Sequence, residues 1–311
     1  MKLITYQKDK AIMPGVLTDN GIIDVVSNWQ GSEAPRSVKQ ILEKGKSCLD
    51  ALGIIVKDAD KFIEPKSVKI LSPIINPGKI IALAGNYSKH IEEAGRELGL
   101  SYSPRDKTVP RPFIMPTTAL ANPEDEIEWP VYSETIDYEV ELAVIIGKTA
   151  KCIGSEKALE CVGGYVIAND VSARTVTFKQ GREKRPWDEF YDWLNGKWAD
   201  GFFPMGPYLL TTDEVDDVQA LDIGLKVNGE VRQKANTSQM IYSVADMVSF
   251  ISHIMTLQPG DIIATGTPSG VAMATGNYLK AGDIIECSIE KLGVLRNTLG
   301  KKPEKFYQPL I

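Results

Sequence analysis

Asp137-Tyr138-Glu139-Val140-Glu141 sets three acids at alternate positions, at the head of the apolar run Leu142-Ala143-Val144-Ile145-Ile146. That run, rich in β-branched residues, reads as a buried strand. Strand side chains alternate between two faces, so Asp137, Glu139 and Glu141 share one and Tyr138, Val140 and Leu142 the other. Carboxylates crowded on a buried strand repel each other and lose hydration. A hard divalent cation relieves both. The plainer alternative is a solvated edge with a charged face, and the apolar continuation argues against it. Gly164-Tyr165-Val166-Ile167-Ala168-Asn169 reads as a second apolar strand, and Asp170 at its end is placed to close a site with Glu139 and Glu141. An acid there also suits a turn or a helix cap. Oxygen ligands select Mg²⁺ or Mn²⁺, with Ca²⁺ as a further candidate. Three carboxylates leave coordination positions open for water and substrate.

The chain has two histidines, His90 and His253. His90 and Glu93 are three apart in a polar helical stretch just after a strand, so they share one face. A histidine oriented by a carboxylate is a general base; the plainer reading is a surface histidine on an amphipathic helix. His253 lies within an amphipathic pattern over residues 243–257 and reads as structural. Two histidines and scattered cysteines exclude three-His and Cys-rich zinc sites. Gly45-Lys46-Ser47 and Gly147-Lys148-Thr149 fail as phosphate loops, because Gln40 and Leu142 stand where the upstream glycine is required. No Gly-x-Ser-x-Gly elbow or Gly-x-Gly-x-x-Gly fingerprint is present.

The elements that position these residues read as α+β, mainly β. Residues 1–72 form a small N-terminal α/β domain. It has strands over 1–6, 15–18 and 22–26, a turn at Asp19-Asn20-Gly21, and a helix over 37–52 with apolar spacing at Val38, Ile41, Leu42 and Leu49. Residues 72–78, with Pro73 and Pro77, read as a linker, so the second domain spans 73–311. It opens with a strand ending at Gly85-Asn86 and a helix over 88–98. Six prolines between 101 and 131 predict irregular, edge or lid-like structure. Residues 178–198, with Trp187, Trp193, Trp198 and Lys197, read as an exposed helix or flap. Asn228-Gly229 marks a hairpin turn.

At 311 residues the chain is long enough for a substantial core. Its 43% hydrophobic and 24% charged residues are ordinary for a globular protein. A net charge of −6 with no long basic run argues against a nucleic-acid partner. No apolar stretch is long enough to span a membrane. The N-terminus reads as a short strand and not a signal peptide. Cys48, Cys152, Cys161 and Cys287 read as unpaired fillers in a reducing compartment, the cytoplasm.

Taken together, these pieces resemble the fumarylacetoacetate hydrolase superfamily. The resemblance is carried, in order, by residues 85–93 (Gly-Asn-Tyr-Ser-Lys-His-Ile-Glu-Glu), 137–142 (Asp-Tyr-Glu-Val-Glu-Leu) and 164–174 (Gly-Tyr-Val-Ile-Ala-Asn-Asp-Val-Ser-Ala-Arg). It continues through Gly196-Lys197, Pro204-Met205-Gly206-Pro207, Val227-Asn228-Gly229-Glu230, Pro259-Gly260-Asp261 and residues 265–271 (Thr-Gly-Thr-Pro-Ser-Gly-Val). Together the pieces cover roughly residues 80–295. The resemblance implies the family's mixed β-sandwich roll, usually a homodimer. It implies Glu139, Glu141 and Asp170 as Mg²⁺ or Mn²⁺ ligands, His90 and Glu93 as a water-activating pair, and Lys197 as the enolate-stabilising cation. Asn86, Tyr87, Arg174 and Thr267 would contact substrate. The implied activity is hydrolysis of a carbon–carbon bond in an acylpyruvate-like or diketo acid through a metal-stabilised enolate. Isomerases, decarboxylases and sugar-acid dehydratases of 2-oxo acids in the family share that enolate. A non-catalytic binder would not need ligands, pair and lysine together. The chain departs from the family pattern at Met115, where many members carry Lys, and at Thr175-Val176-Thr177, where many carry Asp-x-Gln. Residues 178–195 are longer than in compact members.

Overall fold

The computed structural model describes residues 1–98, 105–176, 178–179 and 181–307, with the backbone alone over 94–98. Pro104 and Thr177 lie outside the described residues. Among these, the strands form an eleven-stranded sheet, a five-stranded sheet and a two-stranded ribbon.

The Val140–Ile146 strand runs near the middle of the large sheet and is buried along its whole length. It pairs antiparallel with Val162–Asn169 on one side and Ile262–Ala264 on the other. Its alternation separates two cores. Leu142, Val144 and Ile146 point into the core shared with the five-stranded sheet, which contributes Ile223, Leu225, Ile285 and Leu295. Ala143 and Ile145 point to the opposite core, where Val38, Ile41, Leu42 and Leu52 of the N-terminal helices pack. The result is a mainly β mixed sandwich with helices covering the outer face of one sheet, as expected. The N-terminal strands belong to the same large sheet, since Lys2–Lys8 pairs with Phe203–Thr211.

Several elements differ from their sequence reading. The single helix expected over residues 37–52 is two helices, Val38–Lys44 and Lys46–Asp58. Gly45 between them has φ +66°, a conformation glycine adopts easily and one that ends a helix. The acidic strand is also interrupted. Ile136–Asp137 pairs with Ser172–Ala173 in the separate ribbon, and the large sheet resumes at Val140. At this break the Asp137 carboxylate accepts from the backbone N–H groups of Ala272 and Met273 at 2.6 and 3.1 Å. The proline-rich stretch contributes the edge strand Pro112–Met115. Met115 is a buried core side chain. The Asn228-Gly229 hairpin and the helix Val244–Ile254 form as read, the latter with a Ser243–Asp246 capping box. His253 is exposed, its Nδ1 paired with the Ser249 carbonyl.

Candidate active site

The register between the Val140–Ile146 and Val162–Asn169 strands sets Val140 opposite Asn169 and Glu141 opposite Ala168. The two strand ends carrying acids therefore emerge side by side. The Asp170 N–H donates to the Glu139 carbonyl at 2.9 Å, and the Glu139 N–H to Asn169 Oδ1 at 2.9 Å. Glu139, Glu141 and Asp170 are all buried, and one oxygen from each lies within 4.8 Å of the others. Asp137 is not part of this cluster. Besides three backbone donors, the N–H groups of Tyr138, Ala272 and Met273, it accepts from the Arg174 Nε at 2.9 Å.

Lys197 is where the sequence reading fails most clearly. The residue sits not on a mobile flap but at 2% exposure. Its Nζ is 2.7 Å from Asp170 Oδ2 and 2.9 Å from Glu139 Oε2. Gly196 permits this approach: the Ala173 N–H donates to the Gly196 carbonyl, and a Cβ on Gly196 would collide with the Ala173 carbonyl oxygen. The helix Asp188–Asn195 leads directly into it, and Trp193 covers the ammonium with its ring centroid 5.8 Å away. Arg174 adds a second buried cation, bound to Glu139 as well as Asp137.

These charges separate the three carboxylates. Burial pushes the Glu139 carboxyl up, but Lys197 and Arg174 outweigh it and bring it down to about 2. Burial raises Asp170 to about 6 against the pull of Lys197. Glu141 forms no ion pair among the described residues, and burial with the charges of Asp170 and Glu139 pushes it well above the usual carboxylate range against the weaker pull of Lys197. A cluster in which one acid resists ionisation, and in which the buried Asp170 Oδ1 has no hydrogen-bond partner among the described residues, is short of positive charge. The donors are hard oxygens, which fit Mg²⁺ or Mn²⁺.

A cavity of about 1000 Å³ opens onto this cluster. Glu139, Asp170, Lys197, Arg174, His90 and Thr267 line it, and Arg111, Phe113, Phe190 and Trp193 form part of its outer wall. His90 Nδ1 is 3.6 Å from Glu93 Oε1, outside hydrogen-bond reach. Glu93 is itself held by the Gly270 N–H at 2.7 Å. Glu93 and Glu141 do not line the cavity. Nor do Asn86 and Tyr87, which were expected beside substrate. The Asn86 amide donates to the Thr265 and Tyr242 carbonyls and accepts from the Tyr242 N–H, anchoring the loop over residues 265–270. Tyr87 is buried and its hydroxyl has no hydrogen-bond partner among the described residues. Thr175 and Val176 line the cavity.

The loop over residues 265–270 joins these parts. Its Gly266 N–H donates to Glu141 Oε2 at 2.8 Å. Gly266 has φ +91°, and a Cβ there would stand 2.8 Å from that of Asn86. Sequence reasoning missed Gln233, whose amide hydrogen-bonds Val140 and Thr267. A lone Gln after a hairpin turn carries no signal of that role.

Fold and cluster thus define an enzyme whose acidic site suits a divalent metal. Residues 79–300 match the family model described as "Fumarylacetoacetate (FAA) hydrolase C-terminal". The chain is 34% identical to "Oxaloacetate tautomerase Fahd2a, mitochondrial" of Rattus norvegicus, over 96% of this chain and 91% of that protein. Among solved structures it is similar to a fumarylacetoacetate hydrolase from psychrophilic Exiguobacterium antarcticum, with 31% identity, TM-score 0.76, and 97% and 100% of the two chains covered. Maleylpyruvate hydrolase from Sphingobium sp. SYK-6, in complex with manganese(II) and pyruvate, matches at 28% identity, TM-score 0.76 and the same coverage. The chain belongs to the fumarylacetoacetate hydrolase superfamily, whose members are metal-site enzymes acting on small-molecule acids.

Proposed function

We propose that this protein interconverts the keto and enol forms of a 2-oxo acid, with a small 2-oxo dicarboxylate of the oxaloacetate type as the minimal substrate. One observation carries the reading: a buried ammonium, Lys197, sits between two of three clustered acids in the cavity that His90 also lines. An enolate needs a cation at its oxygen and a group that moves a proton at carbon. That the rat relative, similar over nearly the whole chain, is named an oxaloacetate tautomerase supports the same chemistry.

Glu139, Glu141 and Asp170 would hold Mg²⁺ or Mn²⁺, which when bound supplies Lewis-acid polarisation of the 2-oxo group. Lys197 presents its ammonium to the negative charge developing on the C2 oxygen. Thr267 holds the substrate carboxylate, and Arg174 keeps Glu139 and Asp137 in place. His90 takes a proton from C3 of the keto form and delivers it to the C2 oxygen of the enol, and in the reverse direction carries it from that oxygen back to C3. Glu93 closes on Nδ1 to stabilise the imidazolium, a tightening that substrate-free sites commonly leave incomplete.

A second reading has a specific observation behind it. The same His90–Glu93 pair suits activation of water, which would make the protein a hydrolase of acylpyruvate-like or diketo acids. The structural neighbour named maleylpyruvate hydrolase favours it. Homodimeric assembly, a division at residue 72 and a reducing compartment remain part of the proposal, the last from four free cysteines. No helix among the described residues is long and apolar enough to cross a membrane.

The test is to follow enol-oxaloacetate and a panel of acylpyruvates by NMR with Mg²⁺, with Mn²⁺ and with EDTA. Metal-dependent acceleration of the enol–keto exchange, with acylpyruvates intact, is the expected result. Metal-dependent release of pyruvate and a carboxylic acid would replace it with the hydrolytic reading.

A further inference from the structure

Gln233 lies in the Glu230–Asn236 strand at 1% exposure, outside the residues that the site's chemistry uses. Its amide nevertheless makes three hydrogen bonds within the site. Oε1 accepts from the Val140 N–H at 3.0 Å. Nε2 donates to the Pro268 carbonyl at 2.8 Å and to Thr267 Oγ1 at 2.9 Å. The two ends of a glutamine amide are told apart by their partners. A backbone N–H only donates and a backbone carbonyl only accepts. The oxygen must therefore face Val140, and the nitrogen must face Pro268 and Thr267.

It follows that Thr267 Oγ1 is the acceptor in its contact with Gln233, so its own proton points elsewhere. Among the described residues Thr267 Oγ1 has no other hydrogen-bond partner, and Thr267 lines the cavity. We infer that Gln233 is a positioning residue that fixes the Thr267 hydroxyl as a donor into the cavity, aimed at an oxygen of the substrate carboxylate. This rests on the reading of Thr267 as the carboxylate contact. Because Val140 stands between Glu139 and Glu141, the same amide ties that donor to the start of the strand, which two of the clustered acids flank. Gln233→Glu keeps the shape but replaces the donor with an acceptor. Thr267 then donates to Glu, and its proton turns away from the cavity.

The experiment measures pyruvate binding to the Mn²⁺-loaded full chain by water-proton relaxation, in four variants. A hydrogen bond to a charged group predicts that Thr267→Val weakens pyruvate by about tenfold or more, with Thr267→Ser within about threefold of wild type. Gln233→Glu is expected to approach the Thr267→Val loss. Because both changes act on one O–H, the double variant is expected to stay within about twofold of Thr267→Val alone. Mn²⁺ affinity stays within about threefold in all four if the acids are undisturbed. Wild-type pyruvate affinity in Gln233→Glu, losses that multiply in the double variant, or Thr267→Ser as weak as Thr267→Val would each overturn the inference. Should Gln233→Glu fail to fold, Gln233→Met, of similar length and without the amide, carries the same comparison. The readout is binding, so an absence of oxaloacetate turnover would remove the proposed reaction and leave this test standing.

Discussion

At the residue scale, the site works by keeping charges of both signs in a small buried volume. His90→Ala removes a proton carrier but no candidate ligand. It is expected to lower kcat by about 100-fold or more, with Mn²⁺ binding intact; steady-state kinetics beside Mn²⁺ relaxation titration checks this. Lys197→Met leaves Glu139 and Asp170 without their shared cation. The metal-free protein is then destabilised, and added Mn²⁺ is expected to raise its melting temperature by more than it raises the wild type's. Thermal melts with and without Mn²⁺ decide it; equal shifts would contradict the pairing. Glu139, Glu141 and Asp170 were legible in the sequence because the two-residue strand period is strict and an acid at the end of an apolar strand is conspicuous. Asp137 shared that pattern and belongs elsewhere, because backbone donors from residues 272 and 273, far along the chain, claim its carboxylate. Gln233 and the burial of Lys197 were not legible, since both depend on which distant backbone packs against them.

At the element scale, the Val140–Ile146 strand is the beam between two cores. Leu142 is fully buried in it, and Leu142→Ala is expected to cost about 2–5 kcal/mol, read as a shift of the denaturant midpoint. The loop over residues 265–270 is the other structural junction. Gly266→Ala would force a side chain into a positive φ and against Asn86. It is expected to raise KM more than it lowers stability, since the loop holds Thr267 and Glu141 rather than the core. Measured KM beside a melting curve separates the two. Most strands and the hairpin at Asn228-Gly229 could be read locally, from alternation and turn chemistry. The break at Gly45 could not, because the apolar spacing of Val38, Ile41 and Leu42 continues to Leu49 as if the helix were unbroken.

At the scale of the whole molecule, the sandwich brings together segments distant in sequence: residues 90–93, 139–141, 170–174, 197 and 265–270. Their order matched a family, which is why the site's membership was legible although its geometry was not. The structure adds that Lys197 and Arg174 pair with Glu139 and Asp170 but not with Glu141, so the cluster is short of positive charge. The most direct test of that account is the rate of enol-oxaloacetate conversion in wild type and Glu141→Gln, each with Mn²⁺ and with EDTA. The account predicts fast conversion only in wild type with Mn²⁺, and in Glu141→Gln a rate near the uncatalysed one that excess Mn²⁺ raises only in part. Equal rates with Mn²⁺ and with EDTA in the wild type would contradict it.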